Sequence, residues 1–403
     1  MIDKYLLPAK VVLRSTIGVC RRRPFSALVS AAAAILAAGI IFVVGAIVVA
    51  WLGIYDVAAT KKHNELFAWF LHFTMRNSAK AHATAAPPPS LDDPALIAKG
   101  KSYADLRCAP CHASRGRAAD LVAQDMLPKP PNISTLAREF SPAQLHWIIK
   151  HGIKMSAMPA WPTQKRDDEI WSLVAYLDQL RKNPQFETPP QESPRRPGIG
   201  GTVSLNACFS CHGADGNGRD DAFPKLSGLS AKYIRRSLED YRAGQRASGF
   251  MQPFAAGLSD TDIKNFAAYF DKLERGSNPQ GVAFDQKKIQ QGARIAELAH
   301  NTRLMPACQS CHVKDNPKRL SDIPDLAGQP ARYLTAQLKL FRSGTRANTP
   351  NAKIMARIAQ GLSDADIENV STYFAALSAE SREVSKEHTD PLLKPGPEKG
   401  GRQ

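Results

Sequence analysis

The pattern C-x-x-C-H occurs three times in this chain, as Cys108-Ala-Pro-Cys111-His112, Cys208-Phe-Ser-Cys211-His212 and Cys308-Gln-Ser-Cys311-His312. It consumes six of the seven cysteines, and the seventh, Cys20, lies near the N-terminus without a partner. This placement restricts what the chain can become. A disulfide scaffold needs cysteines that pair across loops. Here each would close over two residues, a strained ring that leaves the repeated histidine unexplained. A zinc site wants a second Cys or His pair at close range. A thioredoxin-like C-x-x-C belongs near a helix start in a βαβ setting, and no alternating strand pattern surrounds these sites.

The reading that accounts for all five positions is covalent attachment of c-type haem. Two thiols must reach the two vinyl groups on one edge of the porphyrin, while the next residue turns its imidazole onto the iron. Three complete motifs predict three haems, held by Cys108, Cys111, Cys208, Cys211, Cys308 and Cys311, with His112, His212 and His312 on the irons.

From Pro24 to Tyr55 there are 32 residues without a charged side chain, against the roughly 20 that a membrane-spanning helix needs. Lys4, Lys10, Arg14, Arg21, Arg22 and Arg23 precede it, opposed only by Asp3. This flank predicts a cytoplasmic N-terminus and an exported remainder. The alternative is a cleaved signal peptide, whose apolar core is usually only about 7–15 residues. Of the formal charge of +16, residues 1–24 carry +5, leaving +11 on the exported part. Such a surface favours acidic proteins or anionic lipid, and no nucleic-acid partner is expected outside the cytoplasm. Lys61 to Ala83 places Leu66, Phe67, Trp69, Phe70, Leu71 and Phe73 among polar residues, the composition of a helix lying in the membrane interface. His63, His72 and His82 within it read as interfacial polar residues, with a quinone-site or haem-ligand role as the alternative.

Residues 198–276 and 286–380 repeat one another. Phe223-Pro224-Lys225-Leu226-Ser227-Gly228 matches Ile323-Pro324-Asp325-Leu326-Ala327-Gly328 at an offset of 100, as Tyr233 matches Tyr333 and Gly244 matches Gly344. After a four-residue insertion Gly257-Leu258-Ser259-Asp260 matches Gly361-Leu362-Ser363-Asp364. Ser259 with Asp262, and Ser363 with Asp366, read as helix caps. Each precedes an apolar face, Ile263, Phe266, Ala267 and Phe270 or Ile367, Val370 and Phe374. The first segment is a more distant copy, with Ser141-Pro142 opening a helix and Ile170 to Tyr176 repeating the interval of Ile263 to Tyr269.

The expected fold is therefore all-α. An N-terminal part, 1–86, carries the basic segment, a transmembrane helix at about 25–54 and the juxtamembrane helix. Three small helical domains follow at 92–183, 198–276 and 286–380, with a Pro-rich linker at 184–197 and a charged tail at 381–403 expected to be disordered.

On these motifs the chain resembles a membrane-anchored, three-haem member of the class I cytochrome c group, over roughly residues 95–380. The resemblance implies a Met as sixth iron ligand, well downstream of each motif. Met158, Met251 and Met355 stand 46, 39 and 43 residues after their histidines. Met155 competes with Met158, which is preferred for the Met-Pro character of Met158-Pro159-Ala160-Trp161. Met126 and Met305 read as packing residues. His146 and His151 offer bis-His ligation as the alternative in the first domain, whereas His300 lies too close before its own motif. The resemblance also implies a Pro carbonyl bonded to each imidazole. Pro224 and Pro324 lie 12 residues after their histidines, and Pro131 lies 19 after His112.

The expected role is electron transfer without substrate chemistry at the outer face of a bacterial inner membrane. The C-terminal half resembles two-haem periplasmic cytochromes. The whole resembles cytochrome subunits of alcohol, aldehyde and sugar-acid dehydrogenases, although those commonly carry a C-terminal anchor. Implied partners are a donor dehydrogenase subunit and an acceptor: quinone, an oxidase or a soluble cytochrome. The alternatives are a terminal-oxidase subunit and a peroxidase-like or thiosulfate-oxidising haem enzyme.

Overall fold

The computed structural model describes residues 23–114, 117–186, 205–276, 283–297, 306–313 and 320–377. Cys20 and most of the basic flank, residues 187–197 of the linker, His300, Met305 and the tail 381–403 lie outside the described residues. Among those described the secondary structure is helical, with one isolated bridge between Ser114 and Arg117.

Residues up to His63 form one compact unit and those from Asn64 a second. The first unit is dominated by α1, Arg23–Trp51, whose stretch Ala27–Trp51 is long and apolar enough to cross a membrane. It ends earlier than the expected 54 because Gly53 takes a left-handed turn at φ 64°.

The second unit opens with α2, Glu65–His82, capped by the Asn64 side chain accepting from the Phe67 N–H at 2.8 Å. Met75 and Ala79 pack on the first core, and Arg76 pairs with Glu139 at 2.7 Å. Leu66, Trp69, Phe70 and Phe73 remain exposed.

The rest of the second unit is built around three apolar clusters, the third with a small satellite. The first lies among α3 (Pro94–Tyr103), α6 (Ile133–Glu139), α7 (Pro142–His151) and α8 (Asp167–Lys182), with short α4 (Ala109–His112) and α5 (Leu121–Gln124) between. The second lies among α9 (Asn206–His212), α10 (Ala231–Arg242), α11 (Met251–Ala256) and α12 (Asp260–Asp271). The third uses α13 (Gln286–Glu297), α14 (Gln309–His312), α15 (Ala331–Arg342), α16 (Pro350–Gln360) and α17 (Asp364–Ala376).

Local signals explain several helix starts. Ser141 with Gln144, Ser259 with Asp262 and Ser363 with Asp366 each form a complete capping box. The apolar faces behind the last two are buried, including Ile263, Phe266, Phe270, Ile367, Val370 and Phe374. Two glycines set the closest helix crossings. A Cβ on Gly100 of α3 would lie 1.9 Å from the Ser172 carbonyl oxygen of α8. One on Gly292 of α13 would lie 2.1 Å from the Asn369 carbonyl oxygen of α17. Only glycine permits these backbones to approach so nearly.

Candidate functional site

Each C-x-x-C-H run ends a short helix, α4, α9 or α14, at its histidine. Helical spacing places the first Cys, the second Cys and the His at i, i+3 and i+4, on one face. That is the arrangement needed to offer two thiols and one imidazole to a single planar ligand. No disulfide joins these six cysteines. Burial pushes the Cys108, Cys208 and Cys211 thiols up to about 12 and Cys308 to about 11, so they are neutral.

All three histidines meet a proline carbonyl. His112 Nδ1 lies 2.9 Å from Pro131 O, His212 Nδ1 3.0 Å from Pro224 O, and His312 Nδ1 2.9 Å from Pro324 O. The carbonyl can only accept, so the proton sits on Nδ1 and the Nε2 lone pair is left for a metal. Burial lowers the pKa of His112 and His212, which favours the same neutral, ligating form. The longer loop before Pro131 closes on the same bond.

Met251 begins α11 and Met355 lies within α16, each six residues before the glycine that ends its helix. Both line one cavity of about 410 Å³, together with Cys208, Cys211, His212, Cys308, Cys311 and His312. Aromatic and aliphatic side chains, among them Phe223, Phe266 and Leu334, supply most of the remaining wall. Met158 is half-buried against the first core, its carbonyl accepting from the Ile153 N–H at 3.2 Å. Met155 is left-handed at φ 58° and 69% exposed. Met126 is half-buried.

The remaining histidines fall elsewhere. His146 is buried and stacked on Trp171 at 4.5 Å, with Nε2 3.6 Å from Asp167. His151 is exposed beside Trp147, on which His82 also stacks. His63 bonds the Tyr55 hydroxyl at 2.8 Å, and His72 is exposed.

Two sets of contacts at the site were not foreseen from the sequence. Arg246 of the second domain donates to the Tyr333 hydroxyl of the third at 3.1 Å, and Arg346 of the third donates to Tyr233 of the second at 3.4 Å. Both arginines line the cavity. They obey the same offset of 100, so the repeat itself carried the signal. The second set joins the first domain to the loop before Met251. Arg166 donates to the Ala247 carbonyl at 2.8 Å, and the Glu169 carboxyl accepts from the Ser248 hydroxyl at 2.6 Å and the Gly249 N–H at 2.5 Å. Tyr103 donates to the Gly249 carbonyl at 3.2 Å, while Tyr103 and Trp161 pack on Phe250. No sequence pattern announces these contacts.

The donor set fits haem c. At the second and third motifs it offers paired thiols, a neutral imidazole with its outer nitrogen engaged, a thioether in the same largely apolar cavity, and guanidinium groups suited to the porphyrin carboxylates. At the first, the thiols and the imidazole are in place and Met158 packs on the same core as Cys108.

Comparison with known proteins agrees with this chemistry. Residues 95–177 match the family described as cytochrome C oxidase, cbb3-type, subunit III, and residues 199–274 and 290–378 match the family described as cytochrome c. The thiosulfate dehydrogenase electron acceptor of Stutzerimonas stutzeri (strain A1501) is 40% identical over 179 residues, covering 44% of this chain and 81% of that protein. Cytochrome c4 of Pseudomonas aeruginosa is 36% identical over 180 residues, covering 44% of this chain and 87% of that protein. The crystal structure of reduced recombinant cytochrome c4 from Pseudomonas stutzeri aligns at 34% identity and a TM-score of 0.39, over 42% of this chain and 93% of that one.

Proposed function

The chain belongs to the multi-haem class I cytochrome c family, and we propose that it is a membrane-anchored, periplasmic three-haem relay between a dehydrogenase or quinol and a downstream acceptor such as quinone or a terminal oxidase. As a family member it is an electron-transfer protein with covalent haem c. In the proposed assignment Cys108 with Cys111, Cys208 with Cys211 and Cys308 with Cys311 hold the groups. His112 and Met158, His212 and Met251, and His312 and Met355 are the axial pairs.

Haem c supplies reversible one-electron chemistry. The protein's share is to fix the ligands and exclude water. Pro131, Pro224 and Pro324 hold the imidazole protons on Nδ1 and so orient the rings. Thioether ligands favour the ferrous state relative to a second imidazole. The observation that supports the reading most is the setting of His212 and Met251, and of His312 and Met355, along one cavity.

In this reading α1 is an uncleaved anchor with a cytoplasmic N-terminus, and the exposed Leu66, Trp69, Phe70 and Phe73 of α2 meet the membrane interface. A relative named thiosulfate dehydrogenase electron acceptor makes a dehydrogenase the first donor class to try. The match of residues 95–177 to an oxidase subunit family favours a second reading, in which the chain serves a terminal oxidase directly.

The test is made on protein solubilised from membranes. Pyridine haemochrome absorbance with mass spectrometry should return three haems per chain, and the reduced protein should bind carbon monoxide poorly. Two or fewer haems, or rapid carbon monoxide binding, refutes the relay assignment. An N-terminus at or beyond Ala58 refutes the anchor. Co-purification with a haem–copper oxidase instead of a dehydrogenase selects the second reading.

A further inference from the structure

The peptide unit joining Pro224 to Lys225 is bonded at both ends. Its carbonyl accepts from His212 Nδ1 at 3.0 Å. Its N–H, on Lys225, donates to Gln329 Oε1 at 3.0 Å, and Gln329 belongs to the third domain. The Gln329 amide nitrogen donates in turn to the Lys225 carbonyl at 2.7 Å. Gln329 is 2% exposed, so its amide meets this loop away from water. The result is a continuous chain of hydrogen bonds from the third domain, through one peptide group of the second, to a haem-motif imidazole.

Such chains polarise cooperatively. A peptide whose N–H is engaged carries more negative charge on its oxygen, strengthening the next bond by about 10–30%. A stronger acceptor draws the Nδ1 proton away from the ring and makes Nε2 the better donor. A better donor stabilises ferric over ferrous iron and lowers the reduction potential. The repeat does not supply the same side chain in the reverse direction. The position matching Gln329 at the offset of 100 is Leu229, whose side chain has no donor or acceptor. In the reverse direction Arg275 reaches the third domain at the Asp325 and Ala327 carbonyls, which lie beyond the Pro324 carbonyl.

We propose that Gln329 is a positioning residue of the third domain that lowers the reduction potential of the haem in the second, acting through the Pro224–Lys225 peptide and His212. The inference rests on the assignment of His212 as an axial ligand.

The test uses the full-length, haem-loaded protein with Gln329→Met, close in size but lacking the amide, and Gln329→Leu, which copies Leu229. Potentials are resolved haem by haem in an NMR-monitored redox titration. The second haem should become easier to reduce by a three- to tenfold change in its equilibrium, a rise of ~30–59 mV for a one-electron couple, while the third stays in place. Asn348→Ala removes another neutral interdomain bond, from Asn348 to the Gln245 carbonyl at 2.9 Å, and should move neither. An unmoved second haem, or an equal shift in Asn348→Ala, overturns the proposal. If both Gln329 variants fail to fold, hydrogen exchange on the unaltered protein decides: the Lys225 amide should be protected like a helix-core amide, and rapid exchange overturns the proposal. His212→Gly separates the two levels. If it opens the second iron while the Gln329 variants move nothing, this inference alone fails. If it leaves the second iron unchanged, the ligand assignment beneath it fails.

Discussion

Glu169 and Met251 are linked through a single hydroxyl. Ser248 Oγ donates to the Glu169 carboxyl at 2.6 Å and accepts from the Met251 N–H at 3.0 Å. A side chain on α8 of the first domain is thus tied to the first residue of α11, which carries the candidate sixth ligand of the second. Arg166, 3.0 Å from the same carboxyl, completes a buried ion pair. Trp161 leaves no room beside Gly249, where an added Cβ would lie 2.0 Å from the indole nitrogen.

Glu169→Ala should loosen this attachment. It leaves the Ser248 hydroxyl and the Gly249 N–H buried without their acceptor, while Arg166 keeps its bidentate pair with Asp168, and a buried donor left unsatisfied costs about 1–3 kcal/mol. Chemical denaturation should show a loss of that order, and the near-infrared sulfur-to-iron band of the oxidised protein should fall by the second haem's share. Glu169→Gln keeps an acceptor and should lose less. Unchanged stability together with an intact band counts against the linkage.

A pH dependence follows from the same carboxyl. Burial raises the Glu169 pKa above the ordinary glutamate value, with Arg166 and Lys99 pulling the other way. The folded chain therefore holds this proton more tightly than the unfolded one. The stabilisation is fully present below the ordinary pKa and is lost as the pH rises through the raised one. Relative to Glu169→Gln, the denaturation midpoint should fall on going from about pH 4 towards neutrality. A difference that stays constant over that range rejects the assignment.

Met155 and Met158 should behave in opposite ways. Met155 is exposed in a left-handed turn, whereas Met158 packs against the first core. Met155→Ala should change stability by no more than about 0.5 kcal/mol and leave the spectrum alone. Met158→Ala should open the first iron to carbon monoxide. The reverse pattern would reassign the ligand.

Gly100→Ala and Gly292→Ala should each force a pair of helices apart. The obstructing atoms are backbone carbonyl oxygens of Ser172 and Asn369, which cannot swing aside as a side chain can. Overpacking of this kind costs about 1–3 kcal/mol. Thermal unfolding of the haem-loaded protein should show midpoints lower by several degrees, and an unshifted midpoint in either variant would mean the crossing is looser than described.

What could be read from the chain beforehand was what depends on neighbours in sequence. A cap needs only Ser141 and Gln144, or Ser259 and Asp262, and each is found in place. The all-helical architecture followed from such starts and the apolar faces behind them. Glu169 was not legible in this way. In the first turn of α8 it resembles any acidic residue favoured at a helix N-terminus, and only tertiary packing turns it towards Ser248. Gln329 was hidden for a related reason: its partner lies 104 residues away, and the repeat offers Leu229 at the matching position. Gly100 and Gly292 sit inside helical patterns, where a glycine reads as a weakness until the crossing backbone is seen.

The exchange between Arg246 and Tyr333, and between Arg346 and Tyr233, has the form of an isologous contact, in which each half offers the other the same patch. A single-domain ancestor bearing one tyrosine and one arginine in this register is complementary to a second copy of itself. The tandem pair is in that sense a fused dimer. Joining the two halves in one chain makes a concentration-dependent encounter an intramolecular one, so neither half has to remain identical to the other. One half carries Gln329 where the other carries Leu229.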